Sequence, residues 1–228
     1  MEGALTGRAE QPPPGGYDVP VVERRTQAER RAESRDRLIK AAIRLLAERG
    51  YAHASLVEIG RAAGFSRGLV NHHFGSKEAC MRAVVEHIRN TAGLRTQKLG
   101  GRGADAIAAL IDSYFDTLVD PANVNAQAMY VILVEGLTAT PGLRAAVAET
   151  NALTRSFIAG HVAEMFDVPV DRGDGDPEVR AIATVIEGIL RGVAVQWLAD
   201  PDNVDLDAVK TTTKLMINSA VSSLELRR

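Results

Sequence analysis

Side chains that could bind DNA are concentrated in the segment from Ser66 to His73. Arg67 and Asn71 are four residues apart in this segment, which places them on one face of a helix. An arginine can donate two hydrogen bonds to guanine, and an asparagine can form a pair of hydrogen bonds with adenine. The first turn of a helix also presents free amides that attract phosphate. The segment therefore predicts a helix that reads base edges in a major groove.

The residues around this segment predict a helix-turn-helix. Ser55 and Glu58 have the spacing of a capping box, which opens a short helix through Ala63. Gly64 can supply the left-handed residue of a tight turn, and Ser66 can cap the second helix. Ile59, Phe65 and Val70 are expected to pack the two helices together, and Leu69 and Phe74 are expected to belong to the core as well.

Apolar residues recur at helical spacing along the remaining chain, and no segment alternates as a strand does. The sequence therefore predicts an all-α fold of about nine helices, with a small three-helix module at residues 28–75 and a larger bundle at 76–228. An unbroken apolar run over 129–134 predicts a helix that is buried on most of its sides. Residues 1–27 are polar and rich in proline and glycine, so we expect a disordered tail there, and residues 167–176 read as a surface loop.

The net charge of -2 conceals two halves of opposite sign. Residues 1–98 hold 17 Lys and Arg against 11 Asp and Glu, whereas residues 99–228 hold 10 against 18. A basic segment joined to an acidic body is typical of a local binding site for a polyanion. Two interpretations of the arginine-rich stretch over 23–37 stay open: a solvated helix face with i,i+4 ion pairs, and a contact with nucleic acid.

Several classes of function lack the residues they need. The single Cys80 cannot form an internal disulfide, and we expect it to be a small buried hydrophobe in a cytoplasmic protein. His72 and His73 diverge by about 100° on a helix, so we expect no metal and no cofactor there. Neither end of the chain carries an apolar run long enough for a membrane or a secretion signal. No set of nucleophile, base and orienting group indicates an enzyme.

Residues 38–80 carry a specific resemblance, in the sequence LIKAAIRLLAERGYAHASLVEIGRAAGFSRGLVNHHFGSKEAC. The patterns A-A-x-x-L-x-x-x-x-G-[YF], [ST]-x-x-x-I, A-G-[VF]-S-x-G and H-F-x-[SN]-K follow one another there. This stretch resembles the N-terminal DNA-binding domain of the TetR family of transcriptional regulators. The resemblance implies a homodimer that binds a palindromic operator in double-stranded DNA, and a C-terminal bundle for ligand binding and dimerisation.

The function implied by the resemblance is that of a ligand-responsive regulator, and a repressor rather than an activator. An unidentified small-molecule effector would release it from the operator. Two alternatives stay open beside it. The protein could be an activator, or it could be a DNA-binding protein that ignores small ligands and docks a protein partner on its helical bundle.

The resemblance also places nine residues at the DNA: Ser55, Leu56, Ser66, Arg67, Gly68, Asn71, His72, His73 and Lys77. Ser55, Leu56, His73 and Lys77 match contacts with the phosphate backbone. The five residues between Ser66 and His72 match the capped, base-facing and groove-edge positions of the recognition helix. A structural hydrogen bond is an equal alternative for His73. The family usually has aromatic residues in place of Asn71 and His72, so no base preference can be transferred. Gly60 replaces the usual alanine, at a cost of about 1 kcal/mol unless close packing compensates.

The last two helices have apolar stripes wide enough to pack on two sides. The resemblance makes them the dimer-forming pair, with the interface residues Ile182, Ile186, Ile189, Val193, Val209, Met216, Ile217 and Ala220. The pattern EGIL…VQWLADP in this region resembles the BetI-like branch of the family. Glu187 and Arg191 are four residues apart and predict an ion pair.

Aromatic, methionine and polar side chains in the bundle can be plain core or the lining of a ligand pocket. The pocket candidates are Tyr114, Phe115, Met129, Tyr130, Glu135, Phe157, His161 and Trp197.

Overall fold

A computed structural model describes residues 26–166 and 175–225. Within these ranges the regular structure is entirely helical, with nine α-helices and two short 3-10 turns. The expected all-α fold of about nine helices is therefore confirmed. The predicted tail lies outside the described residues except for Thr26 and Gln27, as does most of the predicted loop over 167–176.

The α-helices are α1 (Gln27–His53), α2 (Leu56–Ala63), α3 (Arg67–Phe74), α4 (Lys77–Thr96), α5 (Gly103–Val119), α6 (Asn125–Thr138), α7 (Arg144–Met165), α8 (Pro177–Ala199) and α9 (Leu206–Glu225). The 3-10 turns are Pro141–Leu143, before α7, and Pro201–Asn203, between α8 and α9.

Helix α1 begins well before its apolar stripe. Thr26 and Glu29 form a capping box, in which the hydroxyl of Thr26 accepts from the amide of Glu29 and the Glu29 carboxylate accepts from the amide of Thr26. The helix is exposed over most of its first turns and becomes buried from Leu38 onward. The arginine-rich stretch is thus part of the first helix of the three-helix module over 28–75, at least from Gln27.

Two hydrophobic cores hold the helices together. The first core contains residues of the four helices α1, α2, α3 and α4. It also includes Ala128 and Ile132 of α6, Leu143 of the first 3-10 turn and Val147 of α7. The second core is built from α5, α7, α8 and α9. Because the first core extends past residue 75, the three-helix module is packed directly against the bundle.

The prediction that the helix containing the apolar run over 129–134 is buried on most of its sides is wrong. In α6 the buried residues are Ala128, Ile132 and Gly136, while Val134 is 59% exposed and Leu137 is 57% exposed. The helix packs with one face against α1 and α7. The apolar run extends around more of the helix than this face, so some of its side chains remain exposed.

Candidate nucleic-acid interface and internal cavity

Helices α2 and α3 form the predicted helix-turn-helix. The Ser55 hydroxyl accepts from the amide of Glu58 at 3.2 Å, and the Ser66 hydroxyl accepts from the amide of Leu69 at 3.3 Å. Gly64 ends α2 in the left-handed region, at φ 75° and ψ 31°. The second half of the predicted capping box is wrong, because the Glu58 carboxylate pairs with Arg61 on the exposed side of α2.

Close packing between α2 and α3 explains Gly60. A Cβ atom at this position would lie 2.9 Å from the carbonyl oxygen of Phe65 and 3.0 Å from a methyl group of Val70. The carbonyl belongs to the turn itself and cannot move aside without distorting it. The lost helix propensity at Gly60 is therefore offset by a close approach of the two helices.

The exposed face of α3 carries the predicted base-reading residues. Ser66, Arg67, Gly68, Asn71 and His72 are all exposed, whereas Val70 on the opposite face is fully buried. The side chains of Arg67 and Asn71 form no hydrogen bond with any described residue. This arrangement leaves the hydrogen-bonding groups of α3 free to meet an external partner.

His73 is turned toward α1. Its Nε2 lies 2.9 Å from the Ser34 hydroxyl, and burial, followed by the charges of His72, Arg31 and Arg35, lowers the pKa of the imidazole. A lowered pKa favours the neutral ring. Of the two interpretations left open for His73, this geometry favours the structural hydrogen bond.

Lys77 stabilises the end of α1. Its Nζ lies 2.5 Å from the carbonyl oxygen of Tyr51 and 3.9 Å from the centre of the Tyr51 ring. Burial lowers the pKa of the ammonium. One of its three donors is thus committed within the protein, which leaves two for a phosphate.

Ser55 and Leu56 are half-buried at the start of α2, with the Leu56 side chain against the first core.

Arginines of α1 also hold the helix-turn-helix. The Arg37 guanidinium donates to the carbonyl oxygen of Ala63 at 2.9 Å and lies 4.6 Å from the centre of the Phe65 ring. Arg30 and Arg31, one to two turns earlier, are exposed. The arginine-rich stretch therefore includes at least one structural residue, while Arg30 and Arg31 lie N-terminal to the contact of α1 with His73 of α3.

Glu135, a predicted pocket residue, lies instead at the junction between the DNA-binding module and the bundle. Its carboxylate accepts from the Thr140 hydroxyl at 2.6 Å. The pKa of the Tyr51 phenol is raised mainly by burial; Thr140 lowers it in part, and the charge of Glu135 raises it further. The acid that stands out in the apolar sequence of α6 thus finds partners at a helix junction.

A cavity of about 200 Å³, partly open to the surface, lies inside the bundle between α4, α5, α6, α7 and α8. Three of the predicted pocket residues line it: Tyr114, Met129 and Tyr130. Sequence reasoning missed the rest of the wall, which comprises Ile88, Arg89, Ala92, Arg95, Thr96, Leu110, Ser113, Thr117, Leu118, Asn123, Asn125, Ala126, Leu133, Thr150, Thr154, Glu187, Leu190 and Arg191.

The other predicted pocket residues are not in the cavity wall. Phe115 is fully buried in the second core. Phe157 and His161 contact each other edge to face at 4.8 Å, and His161 lies 3.2 Å from Glu164. Trp197 packs at the end of α8 against the same core. With Glu135 at the junction, five of the eight assignments are corrected, because each side chain has a partner elsewhere in the bundle.

Two tyrosine hydroxyls form a directed chain at the cavity. Tyr130 donates to the carbonyl oxygen of Arg191 at 3.2 Å, so the 3.0 Å contact between the two hydroxyls uses Tyr114 as the donor. Burial raises the pKa of both phenols. Both remain protonated at neutral pH.

A buried carboxylate lies beside these tyrosines. Glu187 is 6% exposed and lies 3.0 Å from Arg191, which confirms the predicted ion pair. Its other oxygen accepts from Arg155 of α7 at 3.3 Å. A carboxylate inside an apolar stretch of α8 was the signal that could have placed Glu187 at the cavity, since a buried charge needs partners.

Helices α8 and α9 expose an apolar face. Val185, Val195, Leu215 and Met216 are between 50% and 65% exposed. Two of the predicted interface residues, Ile186 and Ile217, lie in the second core at 1% and 7% exposure. Their assignment to the interface is therefore wrong. The others are half-buried or exposed, namely Ile182, Ile189, Val193, Val209, Met216 and Ala220.

Helix α8 is also long and apolar enough to span a membrane, with a mean hydropathy of 1.4 and 28% of the window buried. Length and composition alone are weak grounds for a span, because a core helix passes the same test. Here one side of α8 packs in the second core and its other side carries Val185 and Val195.

Comparison with protein families gives two matches that together cover most of the chain. Residues 38–84 match the model described as bacterial regulatory proteins, tetR family. Residues 104–218 match the model described as the MftR C-terminal domain.

Comparison with individual proteins agrees with these matches. The chain is 31% identical over 196 residues to the transcriptional regulator CymR of Pseudomonas putida, which covers 84% of this chain and 92% of CymR. It is 26% identical over 166 residues to the regulator BetI of Stenotrophomonas maltophilia, covering 71% of this chain and 82% of BetI. It is 25% identical to the repressor AcnR of Corynebacterium efficiens, covering 79% and 93%.

Solved structures show the same fold. A transcriptional regulator from Rhodococcus sp. Rha1 superposes with a TM-score of 0.71 at 22% identity, over 83% of this chain and 97% of that one. The regulator FadR from Bacillus subtilis, solved in complex with stearoyl-CoA, superposes with a TM-score of 0.63 at 18% identity, over 80% and 96%. At these identities the likeness concerns the fold.

Proposed function

The chain belongs to the TetR family of bacterial transcriptional regulators, and on that basis we propose that it is an effector-responsive repressor that binds a palindromic operator as a homodimer. One observation carries this proposal. Helix α4 begins three residues after the end of α3 and lines the internal cavity from Ile88 to Thr96. A molecule in the cavity therefore contacts the helix on which the recognition helix is mounted.

The proposed DNA-binding surface is the exposed face of α3 with the N-terminal end of α2. Arg67 and Asn71 would contact base edges, and Gly68 and His72 would lie at the groove edge. The capped N-termini at Ser55 and Ser66, with the amide of Leu56, would approach phosphates. Outside α3, Lys77 would use its remaining donors on phosphate.

His73 has a different proposed role. Because its ring is hydrogen-bonded to Ser34, we assign it to the positioning of α3 against α1. Its contribution to DNA binding would then be indirect, through the orientation of the recognition helix.

Dimerisation is proposed to cover the exposed apolar face of α8 and α9. The face combines Val185 and Val195 of α8 with Leu215 and Met216 of α9. Gly188 and Gly192 lie in the same stripe of α8, with open space where a side chain would project. A second copy of this chain would cover these side chains and place two recognition helices on one DNA duplex.

Release from the operator is proposed to follow from ligand binding. A ligand that binds more tightly to a conformation with displaced recognition helices lowers operator affinity by that difference in affinity. Because the cavity is bounded by α4 on one side and by α8 on the other, one ligand could bias both the DNA-binding module and the proposed interface. We propose that this takes place in the cytoplasm and requires no catalysis.

The experiment is a selection of sheared genomic DNA on the purified protein at about physiological salt, where non-specific binding is weak, with and without a small-molecule cell extract. Enrichment of a palindrome that the extract abolishes is expected. Enrichment that no extract alters would favour the ligand-independent alternative with a protein partner. No enrichment by folded, dimeric protein, with or without the extract, would contradict operator binding. A variant with Arg67→Ala and Asn71→Ala is the control that should lose enrichment and stay dimeric.

A further inference from the structure

We propose that the internal cavity binds a small organic anion with an apolar body, and that Arg95 of α4 is the main contact for its charge. The inference rests on the effector-binding role proposed above, and it adds the chemical class of the effector. It follows from the charges in the wall, the size of the cavity and the direction of its hydrogen bonds.

The cavity wall carries an excess of positive charge. Its charged members are three arginines and one carboxylate: Arg89, Arg95, Arg191 and Glu187. Glu187 serves both Arg191 and Arg155, so one negative charge is shared between two guanidinium groups. Arg89 pairs at 2.9 Å with Glu149, which is outside the wall and 63% exposed. Taken with these partners, four arginines face two carboxylates.

Arg95 is the arginine of the wall whose guanidinium has no ion-pair partner among the described residues. It is half-buried, and it forms no ion pair with any residue in 26–166 or 175–225. It lies where the cavity meets an adjoining surface groove, since Arg95, Ser113 and Thr117 line both. A half-buried guanidinium gains from a charge-assisted hydrogen bond, which is stronger in a partly dry site than in water.

Three aspartates lie near Arg95, and two of them are paired with lysines. Asp112, Asp116 and Asp120 border the groove on the outer side of Arg95. Asp112 is paired with Lys214 at 2.5 Å and Asp116 with Lys210 at 2.6 Å, so two of the three are already neutralised by α9.

The volume of the cavity limits the apolar body. A cavity of about 150 Å³ can hold benzene, so about 200 Å³ suits a single ring with a short side chain, or a short aliphatic chain. The wall offers apolar side chains for such a body, including Leu110, Met129, Leu133 and Leu190. A ligand with a large polar body would leave these side chains without a matching surface.

The tyrosine chain sets the direction of the ligand. Because Tyr114 donates to Tyr130 and Tyr130 donates to a backbone carbonyl, both hydroxyl hydrogens are used. The two hydroxyls can therefore only accept further hydrogen bonds, and Glu187, which is paired with Arg191, lies beside them. The hydroxyls thus offer no donor to an anionic group, and Arg191 beside them is already paired with Glu187. The charge of the ligand is therefore directed to Arg95, which has no ion-pair partner in the described parts of the chain, with the apolar body toward the tyrosines.

The test compares ligands that differ only in charge. Calorimetry on the full-length protein would measure 3-phenylpropanoate, 3-phenylpropanamide and 3-phenylpropylammonium, and the corresponding acid, amide and amine of an eight-carbon chain. The carboxylate should bind about ten- to a hundredfold more tightly than its amide, as expected for hydrogen bonds to charged groups. An amide or amine that binds as well as its acid, or no binding of either acid at millimolar concentration, overturns the proposal.

Variants assign the preference to the cavity. Arg95→Gln should remove most of the preference for the acid over the amide. Lys98→Gln is the matched control, because Lys98 is exposed one turn further on and is not in the wall. An Arg95→Gln variant that keeps the full preference overturns the assignment of Arg95. Thermal unfolding without ligand confirms that each variant is folded.

A third variant gives a result of opposite sign. Glu187→Gln removes the negative charge from the cavity, so it should increase the preference for the acid. Lowered preference, measured on folded protein, would contradict the electrostatic account. A merely structural role of Glu187 would lower the affinity for acid and amide alike.

Operator binding is measured separately from ligand binding. An acid that binds through Arg95 and weakens operator binding supports both proposals. An acid that binds through Arg95 without changing operator affinity supports the ligand class and contradicts the effector-responsive function. The two failures are therefore distinguishable.

Discussion

The face of α3 and the internal cavity are built from the sequence in different ways. The recognition face depends on local features within about twenty residues, namely the caps at Ser55 and Ser66 and the left-handed Gly64. The cavity draws its wall from five helices, from Ile88 on α4 to Arg191 on α8. A local motif fixes which side chains it exposes, whereas a cavity wall depends on how distant helices pack. The same chain therefore carries one site that its sequence displays and one that only the fold assembles.

The largest expected effect comes from the packing that shapes the cavity. Phe115→Ala should lower the free energy of unfolding by about 3 to 5 kcal/mol, because Phe115 is fully buried beside the cavity residue Tyr114. Tyr114→Phe removes one hydroxyl and should cost about 1 kcal/mol. Urea unfolding of both variants measures the difference. A loss for Phe115→Ala no larger than that for Tyr114→Phe would contradict the full burial of Phe115 in the second core.

A glycine pair tests the local construction of the recognition face. Gly60→Ala should destabilise the protein by about 1 to 2 kcal/mol, because the new methyl group would meet the Phe65 carbonyl. Gly93→Ala is the matched control in α4, where no atom lies within 4 Å of the new methyl, and it should stabilise by about 0.5 to 1 kcal/mol. Thermal unfolding of the two variants measures whether each substitution lowers or raises the stability. A stabilising Gly60→Ala would refute the close approach of α2 and α3.

A variant of Lys77 distinguishes a contact with phosphate from a structural role of this side chain. Lys77→Gln should make the dependence of operator affinity on salt shallower by about one unit per half-site, since one phosphate contact is lost. Titrations of operator DNA at several salt concentrations measure this slope. Loss of stability with an unchanged slope would show that Lys77 acts only by holding the end of α1 through Tyr51.

The smallest expected effect is a pH dependence at His73. Burial depresses the pKa of this imidazole in the folded state, so the unfolded chain binds its proton more readily. The contribution to stability is therefore complete above the ordinary pKa of about 6.5 and is lost as pH falls through the lower folded value. His73→Gln should lose this part of the pH dependence. Unfolding curves of the two proteins between neutral and mildly acidic pH provide the test, and parallel losses would contradict the assignment.

The contrast between the two sites explains what the sequence could predict. The sequence correctly predicts the cap at Ser66, the turn at Gly64 and the exposure of Asn71, because each depends on neighbours close in the chain. Glu135 was misplaced because its partner Thr140 lies in a turn whose position against α1 depends on the tertiary fold.

The bundle shows the same limit. Ile186 and Ile217 belong to apolar stripes that pack on two sides, and periodicity alone does not say which side faces the subunit core. Glu187 stood out in the sequence with its partner Arg191, but its place in the cavity wall required the packing of α7 and α8. Charges within one helix were predictable, and their surroundings were not.

The central claim is that the exposed face of α3 reads base sequence, and single-base variants of the selected palindrome test it most directly. The affinities of the wild-type protein and of Arg67→Ala would be measured for each variant at one salt concentration. We predict a loss of about 1 to 3 kcal/mol per half-site with the wild-type palindrome, and a relaxed preference at one base position in each half-site. Uniform weakening across all sequences would contradict the claim, because it would show that Arg67 contacts only the backbone.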